Sequence, residues 1–333
     1  MSEQIRVGVI GVGNMGRHHI RNYSEMPDTK LVAMADPNQS TAELAERYNA
    51  SYYAEYTEML DAHQLDAVSV TVPTPLHHKI AKDTISRGIP TLVEKPIASS
   101  VAEGQELIDL AEEKEVVLSV GHVERYNPVV ERLKQMIDSG QLGQILSIET
   151  RRVGGFPAIE PKTDVIMDLA IHDIDILNYL MSSKGEVREV NGHRTNHSLE
   201  IDSTEIFLDY GGVSGIILAN WITPVKIREV IITGSKGYLQ ANYITQEITL
   251  YEKMDIVQKD SFEGFVEAFG EPEEHIIRLA KKEPLHRQLS AFVLAAANGN
   301  RQELISPREA LSALDIAIDA ATRLKERKTT LYD

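Results

Sequence analysis

The stretch Ile5-Arg6-Val7-Gly8-Val9-Ile10-Gly11-Val12-Gly13-Asn14-Met15-Gly16 runs a β-branched apolar segment straight into Gly11-x-Gly13-x-x-Gly16. A helical pattern follows, from Met15 to about residue 24. In such a unit each glycine answers a different geometric demand. Gly11 makes the tight turn, Gly13 lets backbone approach a pyrophosphate, and Gly16 lets helix and strand pack closely. The helix start at Asn14 and Met15 then presents unpaired N–H groups and a positive dipole end to an anion. A second apolar run, Leu31-Val32-Ala33-Met34-Ala35, ends in Asp36, twenty residues after Gly16. An acid there binds the adenosine ribose hydroxyls of NAD and repels the 2′-phosphate of NADP. Pro37, Asn38, Gln39 and Ser40 bring no Arg or Lys to counter a phosphate, so the expected cofactor is NAD.

Composition narrows the partners. With 333 residues, 42% of them hydrophobic and 25% charged, the chain can form two globular domains of ordinary size. A net charge of −16 argues against nucleic acid or an anionic membrane, since both demand a basic face. The absence of cysteine removes disulfides, thiolate nucleophiles and thiolate metal sites. The first apolar run is consumed by the glycine loop rather than forming a leader, and no apolar stretch reaches the ~20 residues that span a bilayer. A soluble cytoplasmic protein is expected.

From residue 1 to 121, strand-like segments at 5–10, 31–35, 67–72, 91–93 and 116–120 alternate with helical patterns at 40–48, 75–87 and 101–114. That alternation predicts a doubly wound parallel sheet, an α/β Rossmann domain. After Gly121 the pattern changes: helices near 128–139 and 165–181 and a strand at 144–152 precede six strands between 187 and 251 with no helix among them. Gly211-Gly212 makes a hairpin turn between two of these strands. The expectation is a second, α+β domain over 122–305 with a large, mostly antiparallel open sheet. Residues 254–300 read only as loop and helix. Ser306-Pro307-Arg308-Glu309 opens a C-terminal helix over 306–333 whose apolar stripe is core packing.

Three stretches carry candidate chemistry. Val72-Pro73-Thr74-Pro75-Leu76-His77-His78 ends the third clear strand and should run over the phosphate–nicotinamide edge of the cofactor, so Pro73, Thr74 and His77 are candidate contacts. His78, like His18 and His19 past the glycine loop, is expected on a helix surface. Glu94-Lys95-Pro96 follows an apolar strand, and carboxyl ends of strands face the ligand crevice, which places Glu94 and Lys95 at the cofactor. A lysine at a loop, taken alone, reads first as a solvated charge. Asp168 and His172 stand at i and i+4 and share a helix face, as a structural pair or a functional one. Asp173 and Asp175 read as surface or capping groups. No H-E-x-x-H occurs, and no metal site is expected.

In order, the glycine loop, Asp36, Pro73-Thr74-x-x-His77, Glu94-Lys95-Pro96, Arg125-Tyr126-x-Pro128 and Asp168-x-x-x-His172-Asp173-x-Asp175 resemble the Gfo/Idh/MocA family of sugar and inositol oxidoreductases over nearly the whole chain. The resemblance implies a Rossmann domain, an open-sheet domain used for oligomer contacts, and a C-terminal helix returning to the first domain. It implies a bound nicotinamide cofactor and a Lys/Asp/His catalytic set that maps onto Lys95, Asp168 and His172, with a cis Lys95–Pro96 peptide. His122, Arg125 and Tyr126 fall on the substrate side. The stretch Asp164-Val165-Ile166-Met167 lacks the glycines of many relatives. With Gly121–Pro128 and Arg152–Pro157 it looks most like members that oxidise the 3-hydroxyl of UDP-N-acetylglucosamine. A diphosphate needs cations, and Arg151, Arg152 and Lys162 are the nearest; a solvated strand-end cluster explains them equally well. The alternatives are an inositol or free-sugar dehydrogenase and a non-catalytic NAD sensor. An open sheet face favours a homodimer or homotetramer.

Overall fold

The computed structural model describes residues 4–157, 163–195, 200–252 and 273–326. The chain forms two compact units, one of residues 1–126 and 282–315, the other of residues 127–281 and 316–333.

The first unit holds a six-stranded parallel sheet in the order β3-β2-β1-β4-β5-β6. Its strands are β1 (Ile5–Ile10), β2 (Thr29–Ala35), β3 (Ser51–Tyr53), β4 (Ala67–Val70), β5 (Thr91–Glu94) and β6 (Leu118–Gly121). Helices α1 (Asn14–Glu25), α2 (Ala42–Arg47), α3 (Tyr56–Ala62), α4 (His77–Ser86) and α5 (Val101–Glu113) connect them. The order reverses between β1 and β4, and in such sheets the crevice beyond the carboxyl ends at that switch point is where ligands bind. The glycine loop leaves β1 there, Asp36 leaves β2, the Val72–His77 segment follows β4, Lys95 leaves β5 and His122 leaves β6.

Two elements of the first unit escaped the sequence pattern, and in the second a strand at Glu274–Arg278 lies where only loop and helix were expected, because it is an edge strand with four of its five residues exposed and so carries no apolar alternation. β3 and α3 are three and seven residues long, too short for a periodicity to show. The helix Pro284–Asn298 packs within the first unit, where Leu285, Leu289, Phe292 and Val293 join Val7, Val9, Ile20, Tyr23 and Met34 in one core. The helix Pro307–Glu326 gives residues 307–315 to the first unit and 316–326 to the second. Its start is capped reciprocally: Arg308 N–H donates to Ser306 Oγ at 3.3 Å and Ser306 N–H to Glu309 Oε2 at 3.2 Å.

The second unit is built on an eight-stranded sheet ordered β14-β13-β12-β11-β7-β10-β9-β8. The strands are β7 (Ile145–Val153), β8 (Glu186–His193), β9 (Ser203–Asp209), β10 (Ser214–Asn220), β11 (Ile227–Gly234), β12 (Gly237–Asn242), β13 (Glu247–Glu252) and β14 (Glu274–Arg278). Only β7 and β10 pair in parallel; the other neighbours are antiparallel. Gly211 and Gly212, both at positive φ, turn β9 into β10. Helices α6 (Pro128–Asp138) and α7 (Ile171–Met181) pack together, and α7 lies against β7 and β10. Among the described residues no helix is long and apolar enough to cross a membrane.

Candidate active site

Gly11 adopts φ +91°, and a Cβ there would sit 2.8 Å from the Val72 nitrogen and the Thr71 carbonyl carbon. A Cβ on Gly16 would come within 2.0 Å of the Gly11 oxygen, so only glycine lets α1 start this close to β1. Gly13 faces open space and N-caps α1 without any side-chain hydrogen bond. The first N–H groups of α1, beginning at Asn14 and Met15, therefore have no side-chain cap and suit a diphosphate. Asp36 Oδ2 accepts the Val12 N–H at 2.7 Å and Oδ1 the Asn38 N–H at 2.8 Å. Those bonds lock the carboxylate against the glycine loop, and each oxygen retains lone pairs for ribose hydroxyls. Beside it a cleft of about 200 Å³ opens among Ile10, Gly11, Pro37, Tyr56, Leu76 and Ile80, sized and lined for a flat ring. The residues fit NAD.

Pro73 and Thr74 begin a short 3₁₀ turn above the sheet. His77 does not stand at the surface: its ring is buried, with Nδ1 2.7 Å from the Pro96 carbonyl and Nε2 2.8 Å from the Val72 carbonyl. It ties the segment after β4 to the one after β5. Burial pushes its pKa below the ordinary imidazole range, while the two carbonyls pull the other way.

The Lys95–Pro96 peptide is cis. Glu94 turns inward: Oε1 lies 3.1 Å from His19 Nε2, Oε2 accepts the Lys95 N–H at 3.2 Å, and a Cβ at Gly121 would strike the carboxylate at 2.8 Å. Burial alone would raise the Glu94 pKa, but His19 and Lys95 hold it below the usual carboxylate range. His19 is thus fully buried, contrary to the surface position expected for it, whereas His18 is exposed. The neighbouring Tyr23 is buried too, and its hydroxyl meets Ser69 Oγ at 2.7 Å.

His122 is buried at the end of β6. Arg125 Nη1 reaches Glu309 at 3.5 Å. Tyr126 is buried against Ala291 and Ile305, donates its hydroxyl to the Glu303 carbonyl at 3.0 Å, and has its pKa raised by burial to about 12. These contacts tie Arg125 and Tyr126 to other segments of the first unit.

In the second unit Asp168 lies in a π-helical turn, Ile166–Ala170, which runs into α7 and its second residue, His172. The Ile171 N–H bonds the Ile166 carbonyl, five residues back. The turn departs from the regular α spacing expected of this pair; π turns inserted in helices recur at functional sites. Asp173 and Asp175 are buried rather than on the surface. Asp173 takes a forked ion pair from Arg152, Nε to Oδ2 at 2.9 Å and Nη2 to Oδ1 at 3.0 Å. Arg152 Cζ also stands 5.7 Å from the Tyr243 ring centre. Arg151, one residue earlier on β7, emerges from the opposite sheet face, as strand alternation demands, and pairs with Glu149 at 2.8 Å and Glu229 at 3.4 Å. The two arginines are thus divided between faces. Lys162 lies outside the described residues. Among the described residues no three His, Asp or Glu side chains form a metal-holding group.

Known proteins extend this picture. Residues 5–122 match the model of an oxidoreductase family with an NAD-binding Rossmann fold, Gfo/Idh/MocA, and residues 130–240 match that family's C-terminal domain. The chain is 27% identical over 295 residues to UDP-N-acetylglucosamine 3-dehydrogenase of Acidithiobacillus ferrooxidans, covering 88% of this chain and 89% of that one. It is 30% identical over 254 residues to scyllo-inositol 2-dehydrogenase (NAD(+)) of Bacillus subtilis, covering 71% and 73%. The solved A. ferrooxidans enzyme superposes with a TM-score of 0.83 at 24% identity, covering 97% of this chain and 98% of that one. GenD2 from gentamicin A biosynthesis, solved with NAD, gives 0.81 at 21%, covering 98% and 95%. A parallel sheet with a glycine loop and Asp36 at its switch point, followed by a mostly antiparallel sheet that carries Asp168 and His172 on its covering helix, makes this chain a member of the Gfo/Idh/MocA family of NAD-binding oxidoreductases.

Proposed function

We propose that this protein is an NAD-dependent dehydrogenase that oxidises a secondary hydroxyl of a sugar, the 3-hydroxyl of UDP-N-acetylglucosamine in the first instance. The observation that carries the reading is the joint presence of Lys95, directly after β5 at the cofactor crevice, and the Asp168–His172 pair at a π turn. An NAD sensor needs the glycine loop but not that trio. Similarity to the A. ferrooxidans dehydrogenase over most of both chains supports the nucleotide sugar. Similarity to inositol dehydrogenases supports a polyol as the second reading.

Bound NAD supplies a hydride acceptor at the nicotinamide ring. Asp36, the Gly11–Gly16 loop and the segment Pro73–His77 hold it. His172 takes the hydroxyl proton, for which a neutral imidazole is suited near neutral pH. Asp168 orients that ring or a neighbouring hydroxyl. Lys95 donates a hydrogen bond to the reacting oxygen and stabilises its developing negative charge. We assign the first unit, which holds residues 1–121, to cofactor binding and the second, which holds residues 127–281 of the expected 122–305 domain, to substrate and to self-association as a homodimer or homotetramer in the cytoplasm.

The test is reduced-nicotinamide absorbance with purified protein, NAD and UDP-N-acetylglucosamine, beside myo-inositol and glucose, with a carbonyl trap to draw the reaction forward. Signal confined to the UDP-sugar supports the leading reading. Signal with the polyol alone replaces it by the second, and none with any sugar while NAD binds revives the sensor.

A further inference from the structure

Glu94, the last residue of β5, stands in register with Gly121, the last residue of β6. Its side chain lies across that glycine: a Cβ there would meet the carboxyl carbon and both oxygens at 2.8 Å. The carboxylate thereby turns towards α1, where His19 Nε2 stands 3.1 Å from Oε1. His19 is itself fixed. Its ring packs edge-on against Tyr23 one turn later, centres 6.3 Å apart at 74°, and the Tyr23 hydroxyl meets Ser69 on β4. The other carboxylate oxygen, Oε2, accepts the Lys95 N–H at 3.2 Å. On the far side of Lys95, the Pro96 carbonyl lies 2.7 Å from His77 Nδ1. The backbone that carries Lys95 is therefore held on both flanks by side chains that are themselves buried: Glu94, backed by His19, before it and His77 after it.

Stability alone does not call for this arrangement. A buried carboxylate loses hydration that its partners only partly return, and apolar side chains of the same volume commonly serve a core as well or better. Burial opposes ionisation of Glu94, yet His19 and the Lys95 charge hold its pKa below the usual carboxylate range, so the charge is kept. A charged carboxylate offers what a leucine does not, a directed and strong acceptor for the Lys95 N–H. Resting on the role given to Lys95 above, we propose that His19 and Glu94 are positioning residues for that lysine. The helix that begins at the glycine loop holds the Glu94 carboxylate through His19, and the carboxylate sets the peptide from which Lys95 reaches the substrate oxygen. Both act through Lys95 rather than on the substrate. A displacement of about 1 Å at a reacting group costs up to roughly 10²-fold in rate, so losing this hold is a catalytic loss even where the fold survives.

The experiment uses the full chain, with whichever of UDP-N-acetylglucosamine and myo-inositol it oxidises. Turnover, sugar KM, NAD affinity and melting temperature are measured for wild type, His19→Leu, His19→Gln, Glu94→Gln and Lys95→Ala. His19→Leu and Glu94→Gln are also each combined with Lys95→Ala, and exchange of the Lys95 amide proton is followed by NMR. His19→Leu is expected to lower kcat roughly 10- to 100-fold, with KM and NAD affinity close to wild type. It should speed exchange at Lys95 but not at Val93 within β5. His19→Gln, whose amide donates from the place of Nε2, should recover most of the rate. Glu94→Gln, an acceptor without the charge, should fall between. In the Lys95→Ala background neither substitution should lower kcat further, because a residue that acts through Lys95 has nothing left to position. Losses that multiply with that of Lys95→Ala, or a wild-type kcat in His19→Leu, overturn the positioning role and leave the proposed activity standing. A Lys95→Ala variant as fast as wild type removes the role of Lys95 and this one with it. If no sugar is oxidised, the proposed function falls and the catalytic role with it; unchanged Lys95 exchange in His19→Leu then shows that the hold is absent as well. Where His19→Leu fails to fold, Glu94→Gln carries the same comparisons.

Discussion

His19 Nε2 and Glu94 Oε1 lie 3.1 Å apart, with both side chains buried. The helix after the glycine loop thereby holds the residue that precedes Lys95. The Glu94 pKa is depressed in the folded chain despite its burial. Its contribution to stability is therefore complete above the unfolded carboxylate value, about 4.3, and is lost as pH falls through the lower folded value. His19→Leu removes a hydrogen-bond partner from a buried carboxylate and is expected to cost about 3 kcal/mol at pH 7. The carboxyl should then protonate at higher pH, so the acid limb of stability moves upward. Urea titrations at pH 7 and pH 4 check both statements; an unchanged acid limb would refute the pairing.

Lys95→Ala and His172→Ala should each lower turnover roughly 10²–10⁴-fold while leaving NAD binding intact. Rates of hydride transfer and NAD titration by fluorescence measure the two separately. A near-wild-type rate in either variant removes that residue from the chemistry.

Asp36→Ala deletes the carboxylate that Val12 and Asn38 hold in place. Losing charge-assisted bonds to the ribose should weaken NAD about 10- to 100-fold. NADP should lose far less, so the preference between the two narrows. Equal losses for both cofactors would speak for a collapsed loop instead.

Arg152→Ala removes the forked partner of the buried Asp173 carboxylate and should cost about 3–5 kcal/mol. Arg151→Ala, one position away on the solvent-facing side, should cost less than about 1 kcal/mol. Denaturant midpoints of the two variants test the face assignment; similar losses would contradict it.

The glycine loop and Asp36 were legible because their spacing is imposed by the ligand and by a Cβ-free backbone, constraints that leave local marks. Apart from the three-residue β3, the strands of the first sheet were legible because buried parallel strands read as short apolar runs. What stayed hidden depends on distant partners. His19 reads as a surface residue until Glu94 arrives from β5, and Asp173 reads as a cap until Arg152 arrives from β7. Alternation along a strand would have separated Arg151 from Arg152, had the register of β7 been applied to them. The π turn at Ile166–Ala170 leaves no signal in residue spacing, because its extra residue is absorbed within one turn.

The helix Pro284–Asn298 has a consequence for how the chain is made. Its residues Leu285, Leu289, Phe292 and Val293 complete the core that begins with Val7 and Val9. A nascent chain that has emerged only as far as Tyr126 has every strand of the parallel sheet and an apolar patch with nothing to cover it. A parallel sheet complete by Gly121 therefore keeps an open apolar face until a helix encoded beyond the whole second sheet returns to cover it.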